Sequence, residues 1–226
     1  MLLTCYVPGW RKTIYAAAQK IHVEEFPSLV CRFLYCALYP GAPSSSQDLS
    51  ITACPLFEGY VSAHASAMSI FFAPSDPSGL TGLRKEHIRA TPRWRSGPAR
   101  YDCVFVTNST SQKGFGGLKV ARLHLLFSFS HKAVMYRCAL VHWYDPVGDQ
   151  PDNDTRMWMV RPSLDAEGTP NLAVIHASEI VQAAHLLLIF DKTPVPLEIL
   201  YSDSLNIFQT FYVNKFIDHH AFEIAA

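Results

Sequence analysis

Residues 84–100 carry six Lys/Arg against a single Glu. Arg84, Lys85, Arg89, Arg93, Arg95 and Arg100 surround Trp94. A guanidinium offers a fork of donors that fits phosphate oxygens, and an interleaved indole can stack on a base. Six phosphate contacts would make binding steeply salt-dependent. The segment is therefore a candidate nucleic-acid contact, with nucleic acid or chromatin as the expected partner. The rival reading is a solvated loop bridging two parts of the fold, or arginines paired with the acidic second half.

Trp143, Tyr144 and Trp158 are three large aromatics at expected strand ends. Such residues either form a cage for a methylated ammonium or fill the core. The ten histidines are scattered, with Asp218-His219-His220 the only dense group. Adjacent histidines on a strand would point to opposite faces, a poor metal clamp. Asp145, Asp149, Asp152 and Asp154 lack the spacing and the closing Glu of a calcium loop. Gly114-Phe-Gly-Gly lacks the Lys-Ser/Thr of a phosphate loop, and neither GxSxG nor GxGxxG occurs. No catalytic residue, metal or cofactor is expected. A polar cleft around His142, His176 or His219 would argue for an enzyme instead.

Several elements must position these groups. Apolar residues make up 49% and charged residues 17% of the 226, enough to bury a sizeable core. The formal net charge is zero, which hides an asymmetry: residues 1–100 carry net +4 and residues 101–226 net −4. The six cysteines show no paired spacing and read as free thiols in a reducing compartment. No signal peptide and no membrane-spanning stretch is expected, so the setting is intracellular, nuclear or cytoplasmic.

Residues 1–50 read as a poorly assigned, partly helical segment ending in the linker GAPSSSQDLS. Residues 51–100 read as a basic connecting region, in which residues 59–72 fit a strand or a short helix. Residues 101–226 read as a compact strand-rich module. Strands are expected at 101–107, 118–130, 132–144, 156–160, 172–177 and 185–190. Short helices are expected at 179–184, capped by Ser178, and at 205–212, capped by Ser202 or Asp203. Short strands with few helices between them imply a mainly β, α+β fold, a small barrel or sandwich.

Five stretches carry a family likeness: RYDCVFV (100–106), CALVHWY (138–144), GDQPDNDTRMWMV (148–160), AVIHASEIVQAAHLL (173–187) and SDSLNIFQTFYVNKFIDHHAFEIA (202–225). In this order they resemble the C-terminal region of proteins encoded by Plavaka-type DNA transposons of mushroom-forming fungi. FFAPSDPSGLTGLRKEHIRATPRWR (71–95) is similar to the stretch preceding that region. The resemblance spans about 70% of the chain. It implies a transposon origin and a nuclear or chromatin setting. It does not imply transposase activity, because the acidic strand-transfer residues of such proteins lie upstream. Two positions depart from the pattern: Arg156, where a glycine is expected, and Phe115, where Arg or Met is expected. Three functions follow as hypotheses: a non-catalytic nucleic-acid or chromatin accessory module, a protein-interaction or structural remnant, and an enzyme of unidentified class.

Overall fold

The computed structural model describes residues 4–5, 8–40, 50–73, 82–108, 112, 114–190 and 198–226. Of the expected linker at 41–50, all but Ser50 lies outside these residues. The fold is mainly β, with 43% strand, 23% helix and a sheet curled into a half-barrel, as the spacing of short strands predicts.

In chain order the strands are β1 (Thr4–Cys5), β2 (Pro8–Thr13), β3 (Tyr60–His64), β4 (Ser66–Phe72), β5 (Leu83–Thr91), β6 (Arg100–Tyr101), β7 (Cys103–Thr107), β8 (Leu118–His131), β9 (Val134–Pro146), β10 (Met159–Pro162), β11 (Leu172–His176), β12 (Ile180–Ala183), β13 (Leu186–Leu188) and β14 (Phe211–Val213). The helices are α1 (Ile14–Ile21), α2 (Phe26–Leu38), α3 (Ser204–Ile207) and α4 (His219–Ile224).

The long hairpin β8–β9 is the spine of a ten-stranded sheet ordered β12-β7-β8-β9-β10-β14-β13. Strand β11 pairs with β9, and β3 pairs with both β8 and β2. A second sheet, β1-β4-β5-β6, packs against the first. Alternation sends successive side chains of β7, β8 and β9 to opposite faces. One face carries Val104, Val106, Ala121, Leu123, Ala139 and Val141 toward Ala67, Ile88 and Ala90 of the second sheet. The other face carries two separate apolar clusters. Leu125, Phe127, Phe129 and Leu140 pack beneath α1 and α2. Phe105, Val120 and Tyr144 pack with Phe211 and Val213.

The structure corrects several local expectations. Residues 59–72 form two strands, broken at Ala65. The first part of the basic segment, residues 84–91, is strand β5 and not a connecting loop, because it completes a ladder with β4 from Ser66↔Arg89 to Phe72↔Leu83. Residues 180–183 are strand and not helix. They bond the edge of β7, and His176 rather than Ser178 caps the 3₁₀ turn before them, with Glu179 reaching back to the His176 N–H at 2.9 Å. The helix expected at 205–212 stops at Ile207, and Phe211–Val213 bridge β10 and β13 instead.

The β8–β9 turn is two residues long, with Lys132 and Ala133 both at positive φ, 49° and 63°. Such a turn matches the right-handed strand twist, but L side chains are strained in it. Replacing Lys132-Ala133 with Asn-Gly is expected to stabilise the fold by about 1 kcal/mol. A higher midpoint in denaturant at unchanged m-value checks this.

Candidate functional site

Asp102 interrupts the run from β6 to β7 and couples the two sheets. Its backbone N–H donates to Arg89 O at 3.0 Å, and its own carbonyl accepts from Leu123 N–H at 3.0 Å. Its carboxylate accepts from Arg89 N–H at 2.9 Å and from Arg100 Nε at 2.7 Å. The chain before it, residues 92–99, makes a tight turn in which Trp94 O accepts from Gly97 N–H and Trp94 N–H donates to Pro98 O. Arg95 and Ser96 hold positive φ, 47° and 62°.

This turn collects three guanidinium groups on one indole. Arg89 lies 4.2 Å, Arg95 5.3 Å and Arg100 5.9 Å from the Trp94 ring centroid. Cation–π attraction offsets part of their mutual repulsion. Arg89 is the innermost: desolvation, then the charge of Arg100, lowers its pKa, and its Nε is buried without a partner. Trp94 is half-buried among these groups, so it is not a bare platform for a base. Arg93, Arg95 and Arg100 are exposed at the surface.

Of the seven expected contact residues, the structure therefore groups Arg89, Trp94, Arg95 and Arg100, with Arg93 beside them on the same turn. Arg84 and Lys85 stand apart at the start of β5, opposite Phe71 and Ile70. Lys85 is exposed, whereas Arg84 is half-buried on the alternation shared with Glu86 and Ile88. Among the described residues, no ion pair joins Arg89, Arg93, Arg95 or Arg100 to Asp149, Asp152 or Asp154.

The aromatic cage does not form. Trp143 and Tyr144 are neighbours on β9 and face opposite ways. Trp143 packs with the face toward the second sheet, with Lys119 5.4 Å from its ring. Tyr144 is buried in the other cluster, and Trp158 stacks on Phe115 at 4.8 Å. Phe115 is thus a core residue.

The histidines resolve into local roles. Asp218 accepts from Ala221 N–H and caps α4, so His219 and His220 lie on a helix and not on a strand. His220 Nδ1 lies 2.6 Å from Gln182 Oε1, and its ring stacks on Phe71 at 4.5 Å. His142 Nε2 donates to Ser163 O at 2.8 Å. Among the described residues no three His, Cys, Asp or Glu side chains form a group able to hold a metal.

A polar cleft lies beside His142, one of the three histidines around which such a cleft would argue for an enzyme, but Arg122 and His124 were not singled out from the sequence. Between the two apolar clusters on the helix-covered face, β8 and β9 present Arg122, His124 and His142. A bulge makes this possible: Leu123 pairs with Val141 and Leu125 with Leu140, leaving His124 as the extra residue. Above Arg122 and His124 lies a cavity of about 800 Å³, lined among others by Trp10, Lys20, Tyr101 and Asn206, with the His142 ring 6.1 Å from that of His124. A second hollow of about 490 Å³ shares Arg122 and Tyr101 and reaches Trp94, Arg95 and Arg100. The arginine turn therefore forms one rim of the cleft. Burial, then the charges of Arg122 and His142, pushes His124 down to about 4. Leu123 and Leu125 stand two apart and read as one face, so the sequence pattern hides the bulge that sends them to opposite faces.

No protein-family model, no curated protein and no solved structure matches the chain.

Proposed function

We propose that this chain is a non-catalytic, transposon-derived accessory module that holds nucleic acid through the phosphate backbone at the Trp94 turn, in an intracellular setting, nuclear or cytoplasmic. The observation that carries the reading is the gathering of Arg89, Arg95 and Arg100 on one indole at a cleft rim, with Arg93 on the same turn. Like charges held this close repel one another, and a polyanion relieves that repulsion. The transposon origin rests on the sequence stretches alone. The state of the cleft supports a non-catalytic reading. His124 is neutral well below pH 7, and burial pushes the neighbouring Cys103 thiol up to about 12. Neither group is poised as base or nucleophile near neutrality. No helix among the described residues is long and apolar enough to cross a membrane.

One observation favours protein interaction instead. Phe216, Ile217 and Phe222 are all exposed near the C-terminus, and the two phenyl rings contact each other at 5.9 Å.

Titration of double- and single-stranded DNA across a salt series tests the proposal. The wild-type protein is expected to bind with affinity that falls steeply with salt. Arg93→Ala with Arg95→Ala is expected to weaken binding and to reduce the log–log salt slope by about two, roughly 0.9 per lost phosphate contact on duplex. Absence of binding at low salt would sink the nucleic-acid reading and leave the apolar C-terminal surface as the better lead.

A further inference from the structure

Arg122 stands apart from the rim arginines. It projects from the middle of β8 onto the floor of the cleft. Its Nη1 donates to Asn206 Oδ1 at 2.6 Å and to Leu205 O at 3.4 Å. Both acceptors are neutral. Its Nε is buried without a hydrogen-bond partner. Among the described residues, the hydrogen bonds of its side chain run through Nη1 alone. Among the described residues, no carboxylate pairs with it. Asp102 is engaged by Arg100 and by Arg89 N–H. Asp203, which also lines the cleft, accepts from its neighbour Ser202 Oγ at 3.3 Å.

A guanidinium that is partly desolvated and has no counter-charge is costly to a fold. Here it is also held in place: the carbonyl and amide at the start of the C-terminal region fix its orientation. It faces a cavity of about 800 Å³, far larger than a few waters need. Lys20 lines the same space, and Tyr101 and Trp10 supply apolar walls. A fixed cation without a counter-charge at the base of such a cleft matches the charge demand of a phosphate group.

We infer that the cleft is a binding site for a phosphate monoester, with Arg122 as its anchoring donor and Lys20 as a second cation. The site does not depend on the rim holding nucleic acid. Inorganic phosphate, a free nucleotide and the 5′-phosphate of a strand share the recognised chemistry, and the experiment separates them.

Thermal unfolding of the full chain is followed with millimolar sodium phosphate and, at matched ionic strength, with sodium chloride. Calorimetric titrations then use AMP and two short single strands, one 5′-phosphorylated and one 5′-hydroxyl. Phosphate is expected to raise the Tm where chloride does not, since a ligand that binds only the folded state stabilises it. Arg122→Met is expected to weaken AMP binding by about tenfold to a hundredfold, the effect of losing charged hydrogen bonds. Arg122→Lys keeps the charge and is expected to retain part of the affinity. A preference for the 5′-phosphorylated strand identifies strand ends as the source, and AMP binding without that preference identifies free nucleotides. Both outcomes uphold the site. Equal Tm shifts in phosphate and chloride, with no heat of AMP binding, would overturn it. So would AMP binding that Arg122→Met leaves unchanged. If Arg122→Met fails to fold, the Arg122→Lys titration and the wild-type phosphate response still decide. The hydroxyl-ended strand reads the rim alone, so failure of the rim and failure of the cleft are distinguishable.

Discussion

Phe127→Ala is expected to destabilise the protein by about 3–5 kcal/mol, the range for deleting a fully buried phenyl ring. Phe127 has no exposed surface and sits at the centre of β8. It meets Phe26 of α2 edge-to-face at 5.1 Å and stacks beside Phe129 at 6.0 Å. These rings tie the helical layer to the sheet. The cavity left by alanine lies between two rigid elements, so collapse can fill little of it. Phe72 on β4 is 61% exposed and serves as the control, with Phe72→Ala expected to change stability by less than about 0.5 kcal/mol. Denaturant unfolding of both variants checks the pair. A loss below about 1.5 kcal/mol for Phe127→Ala would show that the helices pack loosely and that the sheet folds without them.

Legibility differed from element to element, for physical reasons. The spine was visible because Leu118–Ser130 and Lys132–Tyr144 alternate and are rich in β-branched and aromatic residues. The segment 1–50 reads as partly helical, and α1 forms there on the run Ala16-Ala17-Ala18, with the Thr13 hydroxyl accepting from Ala16 N–H. Strand β5 was hidden by its charges. Glu86, Ile88 and Ala90 turn inward while Lys85, His87 and Arg89 turn outward, but the cationic residues dominate the local composition. Residues 205–212 misled in the other direction. Leu205, Phe208, Phe211 and Tyr212 fit one helical face, yet the ladder from β10 to β13 needs Phe211–Val213 as its middle strand. That strand's two pairings join residues about fifty apart (β10–β14) and about twenty-five apart (β13–β14) in sequence, beyond any local pattern. The arginine turn was found from composition, and the structure narrowed it to the residues around Trp94. Of the cleft, His142 at its edge was named, and Arg122 and His124 were not. Its floor depends on a single bulged residue, and its wall depends on the return of residues 202–206 to β8.

That floor sets the second large effect, a loss of stability in mild acid. His124 has an ordinary value of 6.5 and is held down to about 4 by burial, with the charges of Arg122 and His142 adding to it. A histidine depressed in the folded state binds its proton more readily when unfolded. Its contribution to stability is therefore complete above about pH 6.5 and is lost progressively as pH falls toward 4. A shift of this size corresponds to about 3 kcal/mol, with about 1.4 kcal/mol per unit. His142, His64 and His220 are also lowered, burial being the largest cause for each, and they act in the same direction. Glu86, raised first by burial, opposes them, because the folded state takes up its proton more readily than the unfolded chain. The net slope is thus a sum over several groups, and a variant isolates one of them. His124→Gln is expected to flatten the fall in unfolding free energy between pH 6.5 and pH 4 by about 3 kcal/mol, whatever its effect at pH 7. Arg122→Met removes the neighbouring positive charge and is expected to shrink the same acid loss in part. Equal slopes in wild-type protein and His124→Gln would mean that His124 is solvated when protonated. The cleft floor would then be open to water, and Arg122 would lack the desolvation that makes it a strong anchor for an anion.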